Sequence, residues 1–137
     1  MNIKELNTIT SNLNILYVED DRTLRIQNKE FLEELFHVVK TASDGEEALK
    51  LYEQINFDIV IADLNIPKIN GLSMIKMMQE KNKEQIFLIT TVYKEEELKD
   101  ELKELNIKYF LTKPILTKNL LSEIEKILKE LAVTTYY

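Results

Sequence analysis

Cysteine and tryptophan are absent from this chain of 137 residues, and histidine occurs once, at His37. Without cysteine the chain cannot form a disulfide scaffold, a thiol nucleophile or a cysteine-ligated zinc or iron–sulfur site. A single histidine argues against a histidine-rich metal site and against a serine–histidine catalytic relay. His37 stands between two apolar residues, and we expect it to be structural or exposed.

Long apolar runs are missing too, since the uninterrupted ones span a few residues and a bilayer needs about 20. The first residues include Lys4 and Glu5 and lack the apolar stretch of a signal peptide. We therefore expect a cytoplasmic protein that does not contact a membrane. With 18 Lys and Arg against 24 Asp and Glu, the net charge is −6, which disfavours direct nucleic-acid binding.

A chain of 137 residues that is 45% apolar suits one domain with one core. We expect a loose N-terminal arm over residues 1–12, the folded domain over 13–131, and a C-terminal tail or linker stub over 132–137. Only two Gly and two Pro interrupt the chain, and Gly45 and Gly71 both fall between predicted elements.

Short apolar runs alternate with segments in which apolar residues recur at helical spacing. The predicted strands are residues 13–18, 38–42, 57–62, 86–90 and 107–111. The predicted helices are residues 22–36, 46–54, 72–81, 94–105 and a last one that carries Leu120, Ile124, Ile127 and Leu131. In the first helix, we expect four residues to face the core: Leu24, Ile26, Phe31 and Leu35. This alternation predicts a doubly wound α/β fold with a parallel five-stranded sheet.

Charged and hydroxyl side chains follow the predicted strands at the edge where ligands bind in open parallel sheets. They are Glu19, Asp20 and Asp21 after the first strand, Asp63 after the third, Thr90 and Thr91 at the fourth and Lys113 after the fifth. Asp21 is expected to cap the first helix. The other carboxylates would repel one another by about 4 kcal/mol per pair at 4 Å and a dielectric of about 20.

A raised pKa or a bound divalent cation can offset this repulsion. Ligands that are all oxygen favour a hard ion, Mg²⁺ or Mn²⁺. Together with such an ion, Lys113 and a threonine hydroxyl could neutralise a phosphoryl group on a carboxylate oxygen.

Four stretches, in order and at matching spacings, resemble the receiver domains of two-component response regulators over roughly residues 13–131. They are residues 15–21 (ILYVEDD), 44–49 (DGEEAL), 58–67 (DIVIADLNIP) with 71–72 (GL), and 109–114 (YFLTKP). The resemblance implies a flavodoxin-like (βα)5 fold like that of chemotaxis receivers, with strand order 2-1-3-4-5. It also implies a phosphoaspartate signalling switch.

By this resemblance, Asp63 is the phosphoacceptor, and a sensor histidine kinase, a phosphotransfer protein or a small phosphodonor supplies the phosphoryl group. Mg²⁺ would be held by Asp20, Asp63 and the backbone carbonyl of Asn65, with Glu19 binding directly or through water. Lys113 would pair with the acceptor carboxylate and then with a phosphate oxygen, and the Lys113–Pro114 bond is expected to be cis.

The spacing of the family also indicates the switch residues. Counting 28 residues on from Asp63 and 22 back from Lys113 leads to Thr91, with Thr90 as the alternative. Its aromatic partner, three residues before the lysine, is Phe110, with Tyr109 as the alternative. Their movement would reshape the surface of the fourth helix, fifth strand and fifth helix.

The chain departs from the usual pattern at several positions. Val92 replaces the small alanine that usually follows the switch threonine, which would tighten access to the phosphate. Tyr93 could shield an aspartyl phosphate, which predicts slow self-dephosphorylation. Phe110 lacks the hydroxyl of the more common tyrosine, and Asn106 replaces a glycine at a position where asparagine tolerates left-handed backbone.

We therefore predict a regulatory phosphoacceptor, not a turnover enzyme, that controls an output domain or partner protein and could dimerise on phosphorylation. One alternative is an adaptor of the same fold that works without phosphorylation. A phosphatase of the haloacid dehalogenase type would need a second acid two residues after its nucleophile, where Asn65 stands. An FMN carrier would need a Gly- and hydroxyl-rich loop in place of the acids at 19–21.

Overall fold

A parallel sheet of five strands in the order β2-β1-β3-β4-β5 forms the centre of the computed structural model, which describes residue 10 and residues 12–136, with side chains as far as 131. The strands are β1 (Asn14–Val18), β2 (Val38–Ala42), β3 (Ile59–Asp63), β4 (Ile86–Thr91) and β5 (Tyr109–Thr112). The helices are α1 (Arg22–Leu35), α2 (Gly45–Gln54), α3 (Gly71–Lys81), α4 (Glu95–Glu104) and α5 (Thr117–Tyr136). The predicted fold and strand order are confirmed. Apart from Thr10 and Asn12, the predicted arm lies outside the described residues.

The sheet separates two apolar layers, because alternate residues of each strand point to opposite faces. On one face, Leu16, Val60 and Ile89 pack with α2, α3 and α4. On the other, Tyr17 and Leu88 pack with α1 and α5. The three inner strands β1, β3 and β4 are buried on both faces, which is why their sequences show no polar alternation.

One predicted core position in α1 is wrong, because Ile26 is 46% exposed. It lies two residues from Leu24, or about 200° around the helix, so the two side chains cannot share a face. Leu35 is fully buried as predicted, and Leu32, which was not predicted, is fully buried beside it.

Polar side chains cap three of the helices at the edge of the sheet where the strands end. The backbone N–H groups of Leu24, Glu47 and Ser73 donate to the side chains of Asp21, Asp44 and Asn70, respectively. The predicted cap of α1 by Asp21 is thus confirmed.

Gly71 begins α3 where no larger residue fits. A Cβ atom there would lie 2.6 Å from Leu64 Cα, which is backbone and cannot move aside cheaply. This contact brings α3 against the segment that directly follows Asp63. The peptide bond between Lys113 and Pro114 is cis, as predicted. Among the described residues, no helix is both long and apolar enough to cross a membrane.

Candidate functional site

Three carboxylates converge at the carboxyl ends of β1 and β3, which are neighbours in the sheet. Glu19, Asp20 and Asp63 each offer an oxygen, and these oxygens all lie within 4.8 Å of one another. Glu19 is fully buried and Asp63 is 4% exposed, whereas Asp20 faces solvent. The predicted convergence of the acids from the first and third strands is therefore present.

The ammonium group of Lys113 neutralises the two buried acids. Its Nζ lies 2.7 Å from Glu19 Oε1 and 2.6 Å from Asp63 Oδ2. Because β4 separates β5 from β3, the lysine side chain crosses the end of β4 to reach them. Burial alone would lower the pKa of Lys113, but its hydrogen bonds to Asp63 and Glu19 raise it to about 12.

The two buried acids, Glu19 and Asp63, also each accept a hydrogen bond from a backbone N–H group. The N–H of Asp21 donates to Glu19 Oε2 at 3.1 Å, and the N–H of Asn65 donates to Asp63 Oδ1 at 2.9 Å. Burial raises the pKa of Glu19 nonetheless, although Lys113 and the Asp21 N–H pull it down. Of the two devices expected to relieve repulsion among the acids, a raised pKa is thus present at Glu19.

Arg25 was not among the predicted site residues. Its Nη1 donates to the backbone carbonyl of Glu19 at 2.8 Å and to that of Asp20 at 3.3 Å. It therefore holds the acidic loop from the first turn of α1. An arginine four residues after Asp21 is ordinary on a helix surface, and only its proximity to the loop carbonyls distinguishes it.

The two adjacent threonines of β4 are both fully buried and point to opposite faces of the sheet. Thr91 Oγ1 accepts a hydrogen bond from the Tyr93 N–H at 3.2 Å. Phe110 packs against the same apolar layer as Ile89, two residues before Thr91. Tyr109 lies on the other face and donates to Glu130 of α5. Phe110 is therefore the aromatic residue on the Thr91 side.

The remaining predicted positions lie at the rim of the site. Val92 is 62% exposed and Tyr93 is 47% exposed, directly after Thr91. Asn65 is exposed beside Asp63. His37 is exposed and lies after α1, away from the acids.

The donor set fits a hard divalent cation. Glu19, Asp20 and Asp63 supply only oxygen atoms, their spacing allows one ion to contact all three, and the exposed Asp20 leaves a side open to solvent. Such an acidic triad is typical of the Mg²⁺ site of receiver domains.

Comparison with known families shows which family the chain belongs to. The sequence model described as "Response regulator receiver domain" matches residues 15–125. This chain belongs to the response regulator receiver family. Receiver domains are typically regulatory phosphoacceptors, not enzymes, and they interact with histidine kinases and output domains. This membership favours the receiver interpretation over the phosphatase and flavin-carrier alternatives.

Individual relatives of this receiver domain include proteins of similar length and longer ones. Chemotaxis protein CheY-3 of Vibrio cholerae is 28% identical, covering 90% of this chain and 97% of that protein. Transcriptional regulatory protein CpxR of Escherichia coli is 35% identical, covering 84% of this chain but 49% of that protein. The structure of CheY4 from Vibrio cholerae superposes with a TM-score of 0.79 and 28% identity, over 85% of this chain and 99% of that one. The chain thus spans about half the length of such a transcriptional regulator and nearly all of CheY-3.

Proposed function

We propose that the receiver domain is a phosphoaspartate switch in which Asp63 accepts the phosphoryl group. The observation that carries this proposal is the contact of 2.6 Å between Asp63 Oδ2 and the ammonium of Lys113, beside Glu19 and Asp20. A buried carboxylate held this way is preorganised, because its counter-charge is in place before the reaction begins.

In the proposed transfer, a carboxylate oxygen of Asp63 attacks the phosphorus atom of a phosphohistidine on a sensor kinase or phosphotransfer protein. A phosphorus–oxygen bond forms, the phosphorus–nitrogen bond breaks, and the imidazole leaves with the electron pair and takes up a proton. Lys113 stays protonated at neutral pH because its pKa is about 12. Its ammonium group can therefore form a hydrogen bond to a phosphoryl oxygen once the phosphoryl group is attached.

We further propose that Asp20, Asp63 and the backbone carbonyl of Asn65 hold Mg²⁺ or Mn²⁺, with Glu19 binding directly or through water. A bound divalent ion would neutralise charge on the phosphoryl oxygens. The hydrogen bonds from Arg25 to the carbonyls of Glu19 and Asp20 support the loop that presents these ligands.

The switch that we propose begins at Thr91, whose hydroxyl would leave the Tyr93 N–H and turn toward the phosphoryl group. Phe110 packs on the same face and would move inward, reshaping the surface of α4, β5 and α5. This surface would control an output domain or a partner protein, or drive dimerisation, without direct contact with nucleic acid or membrane. Slow dephosphorylation, with Val92 and Tyr93 restricting access of water, stays a prediction.

We place these events in the cytoplasm and assign them to residues 13–131, which follow the proposed arm at 1–12. The site residues that we assign run from Glu19 to Lys113 and lie within this range. Of the predicted tail or linker stub at 132–137, residues 132–136 continue α5.

Intact mass measured after incubation with acetyl phosphate, with and without Mg²⁺, tests the proposal. We expect a gain of about 80 Da that requires Mg²⁺ and is lost in Asp63→Asn. Asp21→Asn is the matched control, since Asn also caps a helix and the gain should persist. A gain that survives in Asp63→Asn would contradict the assignment, and no gain in the wild type would favour the phosphorylation-independent adaptor.

A further inference from the structure

The side-chain hydroxyl of Thr90 is buried without a hydrogen-bond partner in the described part of the chain. The residue is fully buried, and its Oγ1 has no hydrogen-bond partner among the described residues. An unpaired buried hydroxyl destabilises a protein, and a valine of the same shape would avoid that loss. We therefore looked for a state of the protein in which this hydroxyl gains a hydrogen-bond partner.

The sheet places this hydroxyl next to the acceptor. Thr90 is the register partner of Asp63 on β3, and in a parallel sheet such partners point to the same face, about 4.8 Å apart. On its other side the register partner is Leu111 of β5, which offers no polar side chain. The side chain of Lys113 crosses the end of this same strand to reach Asp63.

Thr90 and Thr91 therefore differ in orientation and in hydrogen bonding. Thr91 points to the face of Phe110 and already accepts a hydrogen bond from the Tyr93 N–H. Thr90 points to the face of Asp63 and lies on a central strand, so it can act without any movement of the backbone.

We propose that Thr90 is a positioning residue whose hydroxyl gains its partner only when Asp63 carries a phosphoryl group. This inference rests on the proposed function of Asp63. On phosphorylation the ammonium of Lys113 is drawn to the new phosphoryl oxygens, and a carboxyl oxygen of Asp63 loses its strongest donor. The Thr90 hydroxyl then donates to that oxygen. A group satisfied in only one of two states shifts the equilibrium toward that state.

The test compares wild type with Thr90→Val, which keeps the shape, and Thr90→Ser, which keeps the hydroxyl. Thr112→Val, an exposed threonine on the neighbouring strand β5, is the matched control. For the full chain one measures the melting temperature without ligand, and then the beryllofluoride concentration, with Mg²⁺ present, that half-saturates the protein as a phosphoryl mimic.

We expect Thr90→Val to raise the melting temperature of the unmodified protein by about 2–5 °C, because it removes an unpaired buried hydroxyl. The same variant should bind beryllofluoride about three- to tenfold more weakly, because that factor corresponds to the net free energy of one neutral hydrogen bond. Thr90→Ser should bind it like wild type, and Thr112→Val should change neither quantity.

Two results would overturn the inference and leave the proposed function standing. Equal beryllofluoride binding by wild type and Thr90→Val would show that the hydroxyl has no part in the modified state. A lower melting temperature for unmodified Thr90→Val would show that it already has a partner. Failure of wild type itself to bind beryllofluoride would instead overturn the proposed function, and this inference with it.

Discussion

At the scale of single residues, the site depends on how one cation serves two buried acids. Lys113 Nζ contacts both Glu19 and Asp63 at hydrogen-bonding distance, and the lysine side chain is only 15% exposed. Removing one partner of such a group leaves uncompensated buried charge, which costs far more than the loss of a surface ion pair. We therefore expect the lysine to stabilise the fold as well as to prepare Asp63 for the proposed phosphorylation.

We predict that Lys113→Met lowers the free energy of unfolding by about 2–4 kcal/mol at pH 7, measured by urea denaturation without divalent ions. Lys108→Met is the control, because Lys108 is 63% exposed in its pair with Glu130, and it should cost less than about 1 kcal/mol.

The pH dependence of this loss has a definite sign. Burial raises the pKa of Glu19 in the folded state, so folded protein takes up a proton that unfolded protein has released. Stability of Lys113→Met should therefore recover as the pH falls from 7 toward 5. A deficit that is the same at both pH values, or equal losses for Lys113→Met and Lys108→Met, would contradict the electrostatic role.

Tyr17 supports a second pH prediction. Burial raises its pKa from 10.0 to about 12, although the hydrogen bond from Asn28 lowers it. The folded state keeps the phenol proton that the unfolded state loses above pH 10, so stability falls between about pH 10 and 12. Tyr17→Phe should flatten this fall by about 2–3 kcal/mol, measured by urea denaturation across that range. The raised pKa of Lys113 also lowers stability as the pH rises, but Lys113 is retained in the variant. If the free energy of unfolding fell equally steeply with pH in wild type and Tyr17→Phe, the prediction would be contradicted.

At the scale of elements, most of the fold could be predicted because apolar runs and helical periodicity report burial directly. The inner strands read as continuous apolar runs since both faces are covered. The start of β5 was missed for a physical reason. Ile107 looks like a strand residue, but its N–H donates to the carbonyl of Leu102 at 2.9 Å and closes α4, together with Asn106 at φ 61°.

The site, too, has features that follow from sequence patterns and features that depend on tertiary packing. Which residues stand at the strand ends follows from the sequence, because all parallel strands end at one edge. The hydrogen bonds of Arg25 to loop carbonyls and the complete burial of Glu19 depend on how α1 packs. Tertiary packing of that kind leaves no periodic pattern in the chain.

Gly71 supplies a prediction at this scale. In Gly71→Ala the new methyl group would meet the backbone of Leu64, so we expect a loss of about 1–3 kcal/mol in unfolding free energy despite the better helix propensity of alanine. Lys76→Ala, on the exposed face of the same helix, should be nearly neutral. Equal stability of the two variants would mean that α3 can move away from the loop after Asp63.

At the scale of the whole molecule, the helices differ in how firmly they are anchored. Leu102 is the only buried residue within α4, whereas α5 buries Leu120, Ile124, Ile127 and Leu128. A helix with little buried surface opens at low cost and responds readily to a change nearby. This contrast makes α4 the element best suited to move when the site changes.

We predict that backbone amides of α4 exchange with deuterium faster than those of α5. Beryllofluoride with Mg²⁺ should alter exchange chiefly in α4, β5 and the start of α5, and leave the middle of α1 unchanged. Hydrogen exchange followed by mass spectrometry gives both results. Changes confined to α1 and α2 would contradict the proposed output surface.

The chemical identity of the acceptor is tested most directly by reducing the phosphorylated protein with borohydride, which converts an aspartyl phosphate to homoserine, and mapping the product by peptide mass spectrometry. We predict homoserine at residue 63 alone, formed only after incubation with acetyl phosphate and Mg²⁺. Homoserine at residue 20 or 21, with residue 63 unchanged, would contradict the central claim that Asp63 receives the phosphoryl group.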